Sequence, residues 1–243
     1  ESSDGVCMRA AWEEYGRSAG DGGLLCKRMT DEDGNRPFAV VDTGECVPLA
    51  DFNRINPGYF RNFDTKVRYL HDHGMVLLLE SIRRDHGPLW SRQPDFVDSY
   101  CRYLRYLIAR YGAYNVIFSA IHLDYVAPGK SLDGPRWNRA ATEYYHRHGH
   151  PPFGNLMTAI ADRSTLDQFG HGERCPWLTF HGVGNTMRNH AIEHYIDELY
   201  RLPGPYPCIN QEPYYPGWDV TAGGAPGAEC ESDEDHYLGR ANA

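Results

Sequence analysis

Met75-Val76-Leu77-Leu78-Leu79-Glu80 is an unbroken apolar run closed by a carboxylate. It has no polar alternation and is too short for an ordinary helix, so it predicts a strand buried on both faces, as in a parallel sheet. The segments around it keep a regular order. Upstream, Pro57-Gly58 opens a helical pattern with Phe60, Phe63, Val67 and Leu70 at spacings of three and four, and Gly74 ends it. Downstream, Asp95 to Tyr111 reads as a helix with Phe96, Tyr100, Tyr103, Leu104, Leu107 and Ile108 on one side. A strand over Asn115–Asp124 follows, then a helix over Trp137–His148, strands over Leu156–Ala161 and Trp177–His181, a helix over Met187–Leu202 and a strand over Pro207–Gln211. Ser232-Asp233-Glu234 caps a last helix. Strands alternating with helices imply a parallel sheet with right-handed crossovers.

The ends of those strands decide which parallel architecture to expect. Polar and ionisable residues stand at the C-terminal tip of one predicted strand after another: Glu80, then His122 and Asp124, then Asp162, then His181, then Asn210 and Glu212. A (β/α)8 barrel of the TIM type gathers its active site along such a rim. An open doubly wound sheet would concentrate its chemistry at a single switch point, and no Gly-x-Gly-x-x-Gly follows the first strand to suggest a dinucleotide. Residues 1–243 are therefore expected to form one α/β barrel domain. Gly5–Ala10 reads as the tail of a buried strand. Trp12 to about Pro57, rich in Gly and Asp, reads as a long functional loop rather than a linker.

Charge and composition narrow the partners. A formal net charge of -9 argues against a polyanionic nucleic acid, which selects basic faces. No run reaches the ~18 apolar residues of a membrane span. The chain opens Glu1-Ser2-Ser3-Asp4, without Met, so any leader is expected to be gone, as in a secreted or periplasmic protein. Seven scattered cysteines contain no CxxC; one or two disulfides are compatible with them, and they do not fix the compartment. His71-Asp72-His73 and the group His146, His148 and His150 invite a metal reading. They precede a strand or end a helix, opposite the expected mouth, so no metal and no cofactor is expected. No Gly-x-Ser-x-Gly occurs to suggest a serine hydrolase.

The last predicted strand leads into Asn210-Gln211-Glu212-Pro213-Tyr214-Tyr215-Pro216-Gly217-Trp218. Pro213 cannot donate to a ladder, so the strand ends on Glu212. A carboxylate at a strand tip beside aromatic rings suits a sugar, whose C–H faces stack on such rings. Trp90, Tyr125, Trp137, Tyr214, Tyr215 and Trp218 are candidate platforms; core packing is the plain alternative for each, and Tyr215 and Trp218 stand out by following Glu212. Glu80, Arg83 and Arg84 form a charged cluster after the third strand, suited to sugar hydroxyls or to a structural ion pair. His122, His181, Asn185 and Asn210 are further candidates for substrate contact, with satisfied core polar groups as the alternative for the histidines.

Asp51-Phe52-Asn53-Arg54-Ile55-Asn56-Pro57-Gly58-Tyr59-Phe60, Arg110-Tyr111-Gly112-Ala113-Tyr114-Asn115-Val116-Ile117-Phe118 and Asn210-Gln211-Glu212-Pro213-Tyr214-Tyr215 resemble the apiosidase-like glycoside hydrolases, from about residue 50 onward. The resemblance implies a (β/α)8-barrel enzyme acting on plant cell-wall glycans, with an acid/base carboxylate after the fourth strand and a nucleophile after the seventh. By position these fall on Asp124 and Glu212. His122-Leu123 precede Asp124 where many related retaining barrels have Asn before the acid. On this numbering Gly5–Ala10 is the second strand, so the first and the eighth are missing; either another chain or a further segment closes the open edges, or the chain is a fragment truncated at both ends. The expected partner is an oligosaccharide or polysaccharide, with a furanoside side chain implied by the resemblance alone. A glycan-binding barrel without catalysis and a metal-dependent barrel hydrolase are the competing readings.

Overall fold

The computed structural model describes residues 31–41, 49–82, 90–91, 93–122, 134–161, 163–184, 192–211, 218–219 and 225–226. The predicted strand at Gly5–Ala10, the first part of the helix expected over Met187–Leu202 and the final helix at Ser232 lie outside them. The chain divides into two compact units, Glu1–Leu77 with Asp85–Val116, and Leu78–Arg84 with Ile117–Ala243.

In the first unit, β1 (Phe38–Val41) and β2 (Leu49–Ile55) pair antiparallel. This hairpin corrects the expectation of loop throughout Trp12–Pro57. β1 is short and wholly apolar and β2 is broken by Asp51, Asn53 and Arg54, so neither shows a regular alternation; Phe38 and Phe52 are buried. Phe52 stacks on Trp90 with ring centroids 4.4 Å apart, and Phe38 meets the same indole edge-on at 5.3 Å. Burial of aromatic area against one tryptophan, whose Nε1 donates to Ser99 Oγ at 2.8 Å, adds to the strand preference of Phe38, Val40, Val41 and Phe52.

Helix α1 (Pro57–Asp72) begins as its sequence dictates: Asn56 accepts from the Gly58 N–H and proline occupies the first turn. It ends on Gly74 at φ 72, with the Gly74 N–H bonded to His71 O and the Met75 N–H to Leu70 O, the paired bonds of a Schellman cap. That cap is why Met75 and Val76, expected in a buried strand, are instead 53% and 65% exposed: Met75 still serves the helix. Helix α2 (Phe96–Tyr111) buries all six apolar residues of the predicted face. It joins α1 through Arg110, whose guanidinium grips the Asp64 carboxylate with Nε–Oδ1 at 2.6 Å, and through Phe60 against Tyr106.

The second unit is built on strands in chain order. β3 (Leu77–Glu80), β4 (Val116–His122) and β5 (Met157–Ile160) form one sheet, its first and second strands each beginning one residue inside the first unit. β4 and β5 are parallel, as are β6 (His181–Val183) and β7 (Cys208–Asn210). The two sheets meet where Thr179 N–H donates to Met157 O at 2.9 Å and Met157 N–H to Thr179 Oγ1 at 2.8 Å. Only Leu79 of β3 is fully buried, so this strand is half-covered rather than enclosed on both faces. The described residues trace no closed barrel; a mixed α/β fold with parallel strands is what they form.

Helices α3 (Gly134–His148), α4 (Thr165–Phe169) and α5 (Ile192–Tyr200) alternate with these strands, and a short 3-10 turn covers Gly172–Arg174. The sequence pattern missed α4. Its start is set by Ser164, which accepts from the Asp167 N–H. A two-residue pair, β8 (Trp218–Asp219) with β9 (Ala225–Pro226), was also not anticipated. Among the described residues Cys175 and Cys208 are free thiols, and no helix is long and apolar enough to cross a membrane.

Candidate active site

The register of β4 against β5 determines which side chains meet. Phe118 pairs with Met157 and Ser119 with Thr158, but the next pairing is His122 with Ile160. Three steps along β4 thus match two along β5. Thr158 and Ile160 are two apart and share a face, so His122 shares that face with Ser119, which strict alternation would forbid. The imidazole is 5% exposed, and its Nδ1 lies 2.9 Å from Glu80 Oε2 at the end of β3. The predicted candidates Glu80 and His122 are therefore brought into direct contact.

The same face continues across the other strands. Thr158 on β5 is fully buried, and its Oγ1 accepts from Gln211 Nε2 at 2.9 Å. To reach it the Gln211 side chain crosses β6 at Gly182, where an added Cβ would lie 2.1 Å from Gln211 Cδ. The Gln211 N–H also bonds Val183 O at 3.0 Å, extending the β6–β7 ladder by one residue. Next to it Asn210 is 9% exposed, and neither Nδ2 nor Oδ1 has a hydrogen-bond partner among the described residues; nor has Gln211 Oε1. Buried amides left open in this way call for an explanation, and an occupant bearing hydroxyls supplies both donors and acceptors. Gln211, Thr158, Ser119 and Gly182 were not singled out from the sequence. Gln211 alone carried a signal there, as a polar residue directly before the candidate carboxylate.

His181 is placed differently from expectation. The strand predicted over Trp177–His181 forms instead at His181–Val183, where it pairs with β7, and so His181 heads β6 rather than ending it. The ring is fully buried. Its Nδ1 is 2.8 Å from Thr165 Oγ1 and its Nε2 is 3.0 Å from His171 Nδ1, while His171 Nε2 is 3.1 Å from Pro203 O. A carbonyl only accepts, so with both rings neutral the chain has one direction: His171 donates to Pro203, His181 Nε2–H donates to His171, and Thr165 O–H donates to His181. Tyr206 packs on both rings, at 4.4 and 5.5 Å between centroids. Burial, with the neighbouring His171 adding to it, pushes the His181 imidazole down to about 4.

The remaining candidates, Asp124, Arg83, Arg84, Asn185, Glu212, Tyr214 and Tyr215, lie outside the described residues, and Trp218 is described only as a strand position. Of the other candidate platforms, Trp90 and Trp137 are buried core residues, the alternative weighed for each ring, while Tyr125 lies outside the described residues. Among the described residues no group of three or more histidines, cysteines and carboxylates converges on a point where a metal ion could sit. A contacting carboxylate and imidazole, with uncharged amides beside them, suit a neutral polyhydroxylated ligand better than an anion.

Comparison with known proteins agrees in kind. The chain matches the family described as apiosidase-like, catalytic domain, over residues 26–236. A solved structure of a candidate glycoside hydrolase from Bacteroides vulgatus shares its fold, with a TM-score of 0.52 and 18% identity over 74% of this chain. This chain spans about a third, 34%, of that one. No curated protein matches.

Proposed function

The chain belongs to the apiosidase-like family of glycoside hydrolase catalytic domains, and from that premise we propose that it is a retaining glycosidase on a (β/α)8 scaffold, with Glu212 as nucleophile and Asp124 as acid/base. The observation that carries this reading is the family match itself, which runs through both carboxylate positions. Strands in chain order with parallel pairing support it, since a barrel presents the ends of such strands at a common mouth.

Retention requires two carboxyl groups about 5–5.5 Å apart, one protonated and one ionised. Asp124 gives its proton to the leaving glycosidic oxygen as Glu212 attacks the anomeric carbon and forms a glycosyl ester. Asp124, now a carboxylate, takes a proton from water, which attacks the same carbon and releases Glu212. Glu80 and His122 meet at the ends of β3 and β4, two residues before Asp124 in the case of His122, and serve sugar hydroxyls or the orientation of Asp124. Asn210, Arg83, Arg84, Asn185, Tyr214, Tyr215 and Trp218 supply further substrate contacts. The substrate is a side chain of a plant or microbial polysaccharide, in keeping with the acidic net charge and the uncharged amides.

A panel of aryl glycosides, furanosides included, tests the reading. Glu212→Gln is expected to remove at least about a thousandfold of kcat on whichever glycoside is turned over. Undiminished turnover removes Glu212 from the mechanism, and a bell-shaped pH profile that survives Asp124→Asn removes Asp124.

A further inference from the structure

We infer that Gln211 is a positioning residue: its side chain, seated over Gly182 and bonded to Thr158, fixes the end of β7 and thereby the point from which Glu212 is delivered. This rests on the preceding assignment of Glu212 and deepens it. Three observations carry it. First, the absence of a side chain at Gly182 leaves the room that the Gln211 amide fills. Its φ is not in the left-handed region, and an added Cβ would fall 2.1 Å from both Cδ and Oε1 of Gln211. Second, Gln211 is held from two strands at once, its main chain by Val183 on β6 and its side chain by Thr158 on β5. A strand end normally frays where its ladder stops, and here the last residue before the carboxylate is tied across two neighbours. Third, the arrangement is a poor way to gain stability. Gln211 Oε1 is buried without a partner among the described residues. A leucine of similar size would fill the space without an open acceptor. The amide is therefore best understood by what it holds in place.

The hydroxyl of Thr158 is the part of this device that can be removed without changing shape. Thr158→Val, Thr158→Ser and Glu212→Gln are assayed together on the best aryl glycoside, with melting temperatures recorded. Thr158→Val is expected to lower kcat by about tenfold to a hundredfold with KM held within about twofold, the signature of a displaced reacting group rather than weaker binding. Thr158→Ser, which keeps the acceptor, is expected to restore kcat. Independently of any substrate, the Gln211 side-chain amide protons are expected to exchange slowly in nitrogen-15 spectra of the wild-type protein and rapidly in Thr158→Val. Wild-type kcat in Thr158→Val beside an inactive Glu212→Gln overturns the positioning role and leaves the assignment of Glu212 standing. An active Glu212→Gln overturns both. A loss in Thr158→Val that Thr158→Ser fails to restore, or fast amide exchange in the wild type, also overturns the positioning role.

Discussion

His171 and His181 are bonded ring to ring, Nδ1 to Nε2 at 3.0 Å, with His181 fully buried at the head of β6. The groups facing His181 are Thr165 from α4, His171 from the turn before the 3-10 segment and Tyr206 from the approach to β7, none of them acidic. Its imidazole is held down to about 4, against an ordinary value of 6.5. The unfolded chain thus takes up a proton between those values when the folded one does not, and stability rises with pH across that window. We expect the contribution to be complete above about pH 6.5 and lost as pH falls toward 4, on the order of 3 kcal/mol in all. Urea unfolding at pH 7.5 and 4.5 measures the difference. A His181→Gln variant with the same pH dependence as wild type would assign the effect elsewhere.

Glu80 and His122 touch at 2.9 Å on the face where Thr158 and Gln211 also lie. Glu80→Gln keeps the shape and removes the charge. It is expected to lower kcat/KM by about tenfold, the scale of one lost charge-assisted contact, with little change in melting temperature. Unchanged kcat/KM would reduce Glu80 to a solvated carboxylate.

Trp90 is the centre of the first unit's aromatic cluster, touching Phe38, Phe52, Tyr100 and Tyr103. Trp90→Ala leaves a cavity under the β1–β2 hairpin and is expected to cost ~3–5 kcal/mol. The midpoint of a urea curve reads this directly. A cost under ~1 kcal/mol would mean that the hairpin is held by something other than this ring.

Arg110 grips Asp64 between α2 and α1, and its hydrogen bonds hold the Asp64 carboxyl below the usual range. Both side chains remain about a quarter exposed, at 25% and 30%, so solvent screens the pair. Asp64→Asn is expected to cost ~1 kcal/mol at neutral pH. The wild-type advantage is present above the ordinary carboxylate range and disappears as pH falls through the lowered folded value. Thermal unfolding of both proteins at pH 7 and pH 3 checks magnitude and direction together.

The helices were the most legible part of the sequence. Pro57, Gly74 and the apolar spacing of α2 act locally, within a few residues of where they stand. The strands were located but their ends were not: Met75 was claimed by the cap it makes with Leu70, five residues back, while the start of β6 depends on pairing with a strand far along the chain. The β1–β2 hairpin escaped notice because one tryptophan many residues away supplies its burial. At the candidate site, Glu80, His122 and Asn210 were legible as polar residues at strand ends. Gln211 and Thr158 were not, because their meaning depends on a glycine between them whose importance is spatial.

The extra step in β4 between Ser119 and His122 has a consequence for how this surface could be lost. Replacing a residue within that step leaves the count unchanged, and the imidazole still turns toward Glu80. Straightening the strand with all its residues in place would instead restore plain alternation and rotate His122 to the opposite side of the sheet, with every atom of the ring intact, whereas losing one residue of the step leaves His122 two from Ser119 and on the same face. The histidine's usefulness therefore depends on the irregularity that absorbs one residue, and a change that made β4 pair regularly over its full length would forfeit it without touching the ring.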